Sequence, residues 1–166
     1  LLAGDGTGQN LLGLVPQATD FDYANLSGAG DTKIDRVRRA MLQVRKALYR
    51  ATAVVMSPTD WADIETMKDA DGRYIIGDPR GVVEKRLWGL PVVDSDAIEE
   101  GKFLVGAFNM AAQVFDRENA NVQVSTEDRD NFVKNAVTIR AEERLALAVT
   151  RPEAIIYGNL VDGNAS

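Results

Sequence analysis

Two residue types are missing altogether: the chain of 166 residues contains no cysteine and no histidine. Their absence excludes thiol nucleophiles, disulfides, thiolate or imidazole metal sites, and every triad built on a histidine base. Carboxylate, lysine and tyrosine chemistry remain available, as do oxygen-ligated magnesium and calcium. The lack of cysteine fits a reducing cytoplasm. No apolar run approaches the ~20 residues that a membrane-spanning helix needs, and no basic-then-apolar signal segment opens the chain. The first residue is Leu1 rather than Met and a glycine-rich turn follows at once, which reads as a fragment or a processed product.

What is present is the composition of a globular protein, 45% hydrophobic and 27% charged, long enough for one ordinary domain or two small ones. The net charge of −6 hides an asymmetry. Residues 33–50 hold seven basic side chains (Lys33, Arg36, Arg38, Arg39, Arg45, Lys46 and Arg50) and one acid, Asp35. The rest of the chain keeps the other twelve of 19 basic and twenty-four of 25 acidic residues. So acidic a body argues against tight gripping of nucleic acid by the whole domain. The basic stretch reads first as a solvated helix face. Arg36, Arg38, Arg39, Arg45 and Lys46 are also candidates for contact with DNA phosphate or an acidic neighbour.

Thr32, or Asp31, is placed to cap a helix that has Asp35 at its third position, and Ile34, Val37, Met41, Val44 and Leu48 follow as one apolar stripe. Residues 51–56 read as a buried strand. Ser57-Pro58-Thr59-Asp60 then supplies a cap, a proline at the first helical position and an acid, with Trp61, Ile64 and Met67 as the stripe of a second helix. Asp71-Gly72 turns the chain into a hairpin arm at 73–76, and 79–81 starts a loop. Strands are predicted at 90–93 and 103–105 around an acidic connector, residues 94–100. A short hairpin is predicted at 114–116 and 121–125, then a charged turn at 127–130, and a last strand at 154–157. The strands look mostly antiparallel, and with segregated helices the fold class is α+β.

From Val137 to Val149, apolar and charged residues alternate with period two. This is a strand with one face expected to be buried and the other charged. At about 3.3 Å per residue it spans roughly 40 Å, more than twice a typical strand, and so reads as a surface built to meet neighbours. Arg140, Glu142 and Arg144 share one face with alternating sign, suited to register and partner choice more than to stability. Glu143, an acid on the apolar face, needs a partner such as Arg129 or Arg151, or a bulge. Trp61 and Trp88 read as core or interface anchors. The GDGTG loop at residues 4–8 lacks the ending of a phosphate-binding loop and reads as a tight turn. Asp69-Ala70-Asp71-Gly72 lacks the twelfth-position acid of a calcium loop and reads as a hairpin turn.

GDGTG (4–8), GRYIIG (72–77), WGLPVV (88–93), DRDNFVKN (128–135) and TIRAEERLALAVTRPEAII (138–156), in this order along the chain, together resemble the tailed-bacteriophage major capsid proteins of the Hong Kong ninety-seven type. The resemblance implies an α+β fold with an axial domain at 11–110, a peripheral domain from 1–10 and 111–158, and a disordered tail at 159–166. It implies an N-terminal arm, an extended loop and a spine helix beyond this sequence. It also implies a structural, non-enzymatic protein of the virion that needs no cofactor or metal. Its partner would be itself, in hexamers and pentamers of the full-length protein, with DNA enclosed but not read by sequence and no membrane contact. Assembly would take place in the bacterial cytoplasm, and this portion alone would be monomeric or weakly oligomeric. Arg140, Glu142, Arg144 and Trp88 become candidate subunit contacts.

In one branch of that family a lysine of the extended loop is joined to an asparagine amide with the help of a glutamate. The matching positions are Asn135 as acceptor and Glu142 as base. They lie seven apart, so a regular strand would send them to opposite faces unless the chain bends after Asn135. Retention of both residues without cross-linking stands beside this reading. Two other functions remain open: a phosphate- or nucleotide-binding α/β enzyme using residues 4–8, and a cargo-holding nanocompartment of the same fold.

Overall fold

Thr32 opens the longest helix of the computed structural model, which describes residues 1–8, 10–28, 30–76, 81, 84–127 and 131–161. The elements run β1 (Thr19–Asp20), α1 (Tyr23–Leu26), α2 (Lys33–Lys46), β2 (Ala53–Met56), α3 (Pro58–Glu65), β3 (Arg86–Leu87), β4 (Leu90–Asp94) and β5 (Lys102–Gly106). They continue with α4 (Phe108–Ala111), β6 (Ala112–Ser125), α5 (Asn131–Lys134), β7 (Thr138–Val149) and β8 (Ile155–Asn159). The result is an α+β fold in two units. One comprises Leu1–Gln113 and the stretch from Val149, and the other is Val114–Ala148. Among the described residues no helix is long and apolar enough to cross a membrane.

Local chemistry sets the two main helices. The Thr32 hydroxyl accepts from the Asp35 amide at 3.3 Å while the Asp35 carboxylate accepts from the Thr32 amide at 3.0 Å, a complete capping box. The Thr32 hydroxyl also holds the Asp35 carboxyl below the usual carboxylate range. Val37, Ala40 and Val44 are fully buried along α2. Leu48 departs from the predicted stripe. The helix ends at Lys46, and Leu48 takes the left-handed conformation (φ 68°) with its side chain 89% exposed. The Leu48 and Tyr49 amides donate back to the Arg45 and Val44 carbonyls, a Schellman ending with leucine where glycine is usual. Ser57 caps α3 through the Thr59 amide at 3.2 Å, with Pro58 at its first position.

The first unit is built on a six-stranded sheet in the order β1-β8-β5-β2-β4-β3. Three of its five pairings are antiparallel, as expected, but the sheet is mixed, because β2 pairs with β4 and β1 with β8 in parallel. Those crossovers depend on where α3 and the long returns carry the chain, which period-two patterning cannot reveal. Alternation along the strands then sorts the core. Val54, Met56, Phe103, Val105 and Ile156 join α2 and α3 on one face, and Val55, Leu104 and Ile155 join Ile98, Ala107 and Ala111 on the other.

Four further expectations change. No strand forms at 73–76, where Lys68 and Tyr74 make an isolated bridge around the Asp69–Gly72 turn. The predicted hairpin at 114–116 and 121–125 is one continuous strand, β6, because pairing with β7 overrides the polar stretch between. The supposed tail is ordered at its start, with Asn159 ending β8 and Leu160 fully buried in the core. Residues 149–158 also group with the six-stranded unit, since β8 lies between β1 and β5. The loop at 79–80, the turn at 128–130 and the tail at 162–166 lie outside the described residues.

Candidate functional site

The second unit is a ribbon of two strands, β6 and β7, 14 and 12 residues long. Arg140 Nη2 donates to Gln123 Oε1 at 2.9 Å and Arg144 Nε lies 3.4 Å from Glu118 Oε2, so the strands run in opposite directions. The alternation read from sequence is present, but the predicted buried face is not. Every residue from Gln113 to Ser125 and from Ile139 to Arg144 is exposed. Val114, Phe115, Val122, Val124, Val137 and Ile139 are 49–69% exposed, and Phe132 and Val133, beside the ribbon's tip, are each 86% exposed. An isolated two-stranded ribbon is marginal in water, and a contiguous exposed apolar patch marks an interaction surface.

Arg140 and Glu142 pair at 3.3 Å, and both are more than half exposed, as are Arg144 and Glu118. Such pairs contribute at most about 1 kcal/mol, so their value lies in orientation and partner choice. Glu143 is exposed and therefore needs none of the predicted partners. Arg129 lies outside the described residues, and Arg151 donates to the Met110 carbonyl at 3.1 Å. Asn135 is not in a strand. It follows α5 with a left-handed backbone (φ 52°), which asparagine tolerates better than most residues, and β7 begins at Thr138. The face parity that would separate Asn135 from Glu142 on a regular strand therefore does not apply. Asn131 Nδ2 donates to Thr138 Oγ1 at 2.6 Å and ties the turn together.

In the six-stranded unit the basic stretch divides. Arg36 is not a surface contact: it is 1% exposed, its guanidinium 5.8 Å over the Tyr23 ring and its Nη1 donating to the Asn159 carbonyl at 3.4 Å. Position 36 precedes Ala40 and Val44 by one and two i+4 steps, so it lies on the buried row of α2. Arg39 is held by the Leu26 carbonyl (2.6 Å) and by Asp31 (2.7 Å). Lys33 bridges Asp60 (2.9 Å) and Asp63 (2.8 Å). Burial opposes its charge, but those two carboxylates outweigh it and raise its pKa. Arg38, Arg45, Lys46 and Arg50 remain on the surface.

Arg38, Arg45 and Arg50 line, with Met41, Tyr49 and Trp88, an open cavity of about 480 Å³. The seven-in-eighteen basic run indicated the arginines, but nothing in sequence brought Tyr49 and Trp88 to them. Trp88 and Gly89 form the two-residue turn between β3 and β4, both with positive φ (52° and 81°). That is the type I′ geometry, in which asparagine rather than tryptophan usually precedes glycine. Trp88 is 53% exposed, its indole N–H bonds the Ile34 carbonyl at 3.3 Å, and Arg38 sits 5.9 Å over its ring. Trp61, by contrast, is buried in the core.

The loop at 4–8 is a closed turn. Asp5 accepts from the Thr7 hydroxyl, the Thr7 amide and Asn10, which hold its pKa down to about 2. A side chain at Gly4 would stand 2.0 Å from the Leu11 carbonyl oxygen. A carboxylate occupies the place where a phosphate would need donors, so the loop is no nucleotide cradle. Asp69 likewise accepts from the Asp71 and Arg73 amides, as a turn does. Among the described residues no group of three or more acidic side chains could hold a metal ion.

Comparison with known proteins agrees with this architecture. The profile of the phage capsid family matches residues 1–160. The major capsid protein of Enterobacteria phage HK97 is 51% identical over 164 residues, which is 99% of this chain and 42% of that protein. The chain thus spans less than half the length of that curated relative. Among solved structures, the capsid of an empty GTA particle superposes with a TM-score of 0.71 at 18% identity, covering 95% of this chain and 58% of that one. A structure from Gordonia phage Cozz gives 0.70 at 15%, covering 95% and 54%, and one from Mycobacterium phage Che8 gives 0.66 at 22%, covering 89% and 55%. At these identities the structural likeness speaks to fold alone.

Proposed function

The chain belongs to the phage capsid family, and on that premise we propose that it is the shell-forming portion of a major capsid protein. Copies of the full-length protein associate into hexamers and pentamers and close an icosahedral shell around DNA in the bacterial cytoplasm. The observation that carries this reading is the β6–β7 ribbon, most of whose apolar residues stay half or more exposed in their own chain. In this reading the six-stranded unit is the axial domain and the ribbon belongs to the peripheral one. Repetition supports closure: many weak symmetric contacts, each of modest strength, yield a stable assembly through multivalency.

The test is assembly of the full-length protein carrying Phe132→Asp with Ile139→Asp. Both side chains are exposed, so folding should change by no more than about 0.5 kcal/mol, while shells disappear from electron micrographs. Shells that persist at normal yield would refute the reading.

Within it, Asn135 and Glu142 are the acceptor and base of a cross-link. A lysine ε-amine of a neighbouring copy attacks the Asn135 side-chain carbon, the new amide bond replaces the old one, and ammonia leaves. Glu142, once covered by that neighbour, takes the proton the ammonium must lose before attack. Full-length shells of Glu142→Gln should run as monomers on a denaturing gel where the parent runs as ladders. A parent that runs as monomer removes the cross-link and leaves the shell reading in place.

A further inference from the structure

The cavity beside Trp88 collects three guanidinium groups and no carboxylate. Arg38, Arg45 and Arg50 form no ion pair among the described residues, and Arg38 rests on the face of Trp88. One large apolar side chain in strained backbone lines the cavity and a second is its neighbour in sequence. Trp88 and Leu48 are two of the three non-glycine residues with positive φ among the described residues, and Leu48 precedes the cavity-lining Tyr49. Leu48 is 89% exposed and Trp88 about half exposed, so much of both apolar surfaces is left uncovered within this chain. Strain of this kind persists where the exposed side chain has a use.

The opposite charge gathers at the other end of the same sheet. Residues 94–100 carry Asp94, Asp96, Glu99 and Glu100 on a connector that is tied to the core. Its Ser95 amide donates to the Met56 carbonyl, Ile98 is buried, and the following Gly101 amide donates to Asp60 at 2.6 Å. Asp94 pairs with Lys85 and Glu100 accepts from Thr59, whereas Asp96 and Glu99 are exposed and in no ion pair among the described residues. Strand directions fix the separation. Tyr49, Arg50 and Ala51 lead into β2, and Leu90 starts β4, which is parallel to it. The acidic connector begins where β4 ends, with Asp94 opposite Met56 at the end of β2. The length of β2, at about 3.3 Å per residue, puts roughly 13 Å of sheet between the two patches. They cannot meet within one copy.

We infer that the arginine cavity beside Trp88 receives the acidic connector, residues 94–100, of a second copy of this chain, so that copies join head to tail. Unlike patches on one rigid body make a heterologous contact, which closes into a ring when the rotation allows and otherwise runs on as a filament. Asp96 and Glu99 meet Arg38, Arg45 and Arg50, and Trp88 and Leu48 gain apolar cover. The charges set the direction of the contact and suppress like-end pairing. This inference rests on the self-association reading above and assigns it a surface distinct from the ribbon.

Charge exchange tests it. Arg38→Glu with Arg45→Glu, or Asp96→Lys with Glu99→Lys, should each weaken self-association of the full-length protein at least tenfold by sedimentation velocity at low salt. The two reversed proteins mixed together should recover it. The side chains are exposed, and circular dichroism verifies the fold. Should either reversal unfold the chain, Arg45→Gln and Glu99→Gln stand in, with a smaller loss expected. Because the chain has no cysteine, Arg45→Cys mixed with Asp96→Cys should form a disulfide between copies faster than either variant alone. Association unchanged in every reversal overturns the inference and leaves the shell reading intact. Loss of duplex-DNA binding by the arginine variants with association unchanged assigns the cavity to phosphate and also overturns it. A parent protein that never associates removes both.

Discussion

Asp60 is a buried acid that holds three elements together, and replacing it with alanine should destabilise the six-stranded unit by about 3 kcal/mol. Its side chain is 5% exposed and accepts from Lys33 Nζ at 2.9 Å and from the Gly101 amide at 2.6 Å. It therefore ties α2, α3 and the start of β5 to one point. Each hydrogen bond to a charged group contributes about 1.5–3 kcal/mol, and a buried amide left without an acceptor costs about 1–3 kcal/mol. The Lys33 bond falls at the low end, because Asp63 remains 2.8 Å from the same ammonium and Lys33 is partly exposed. With a urea dependence of about 2 kcal/mol per molar, the midpoint of unfolding should drop by about 1.5 M. Asp60→Asn keeps an acceptor for Gly101 and loses only the charge, so about half that shift is expected. The sign with pH follows from Lys33, whose pKa is raised above its ordinary 10.5 by the two carboxylates. Their stabilisation is full below that value and fades as pH climbs through the raised one, so parent and Asp63→Ala should converge in strong alkali. A midpoint shift below about 0.5 M for Asp60→Ala, or an asparagine variant as damaged as the alanine one, would refute the reasoning.

Leu48→Gly should stabilise the chain by about 0.5–1 kcal/mol in thermal unfolding, since it relieves a left-handed leucine that is almost fully exposed. Thr32→Ala removes the hydroxyl half of a capping box and should cost about 1 kcal/mol by the same measurement. Asp5 is held near 2 from an ordinary 3.8, so its contribution is complete above about pH 4 and is lost as pH falls toward 2. Acid titration of parent against Asp5→Asn should therefore show a difference at pH 5 that vanishes by pH 2, and a constant difference would contradict the assignment.

What the sequence made legible was local. The Thr32 and Ser57 caps, the Val37 and Val44 stripe and the short strands around Val54, Val92 and Leu104 all follow from contacts within a few residues. What it hid depended on distant chain. The parallel partnering of β2 with β4 is decided by where α3 returns the backbone. Arg36 reads as surface because arginine is polar, although it stands on the i+4 row of Ala40 and Val44 and satisfies a carbonyl at the end of β8. The polar stretch Arg117–Ala120 imitates a turn, yet it lies inside one continuous strand, β6, paired with β7. The first part of the β7 face expected to be buried, from Ile139 to Glu143, is bare for a related reason: its alternation anticipates cover that this chain supplies only from Leu145 on. Of the candidate contacts, the shared face of Arg140 and Glu142 is legible from their spacing. The joining of Trp88 to Arg38 and Arg45 was not, because it needs the β3–β4 turn to lean over α2.

The outer strands of the six-stranded sheet, β1 and β3, are only two residues long. Such stubs present almost no free row of amides and carbonyls, so this sheet offers nothing onto which another strand could crystallise. The ribbon is the reverse, with two strands of 14 and 12 residues that each have a single neighbour. Backbone-driven growth, orderly or fibrous, therefore has one place to start. At high concentration the isolated chain should lose material through the ribbon, and a peptide that docks along β6 or β7 should act as a solubiliser before it acts as anything else.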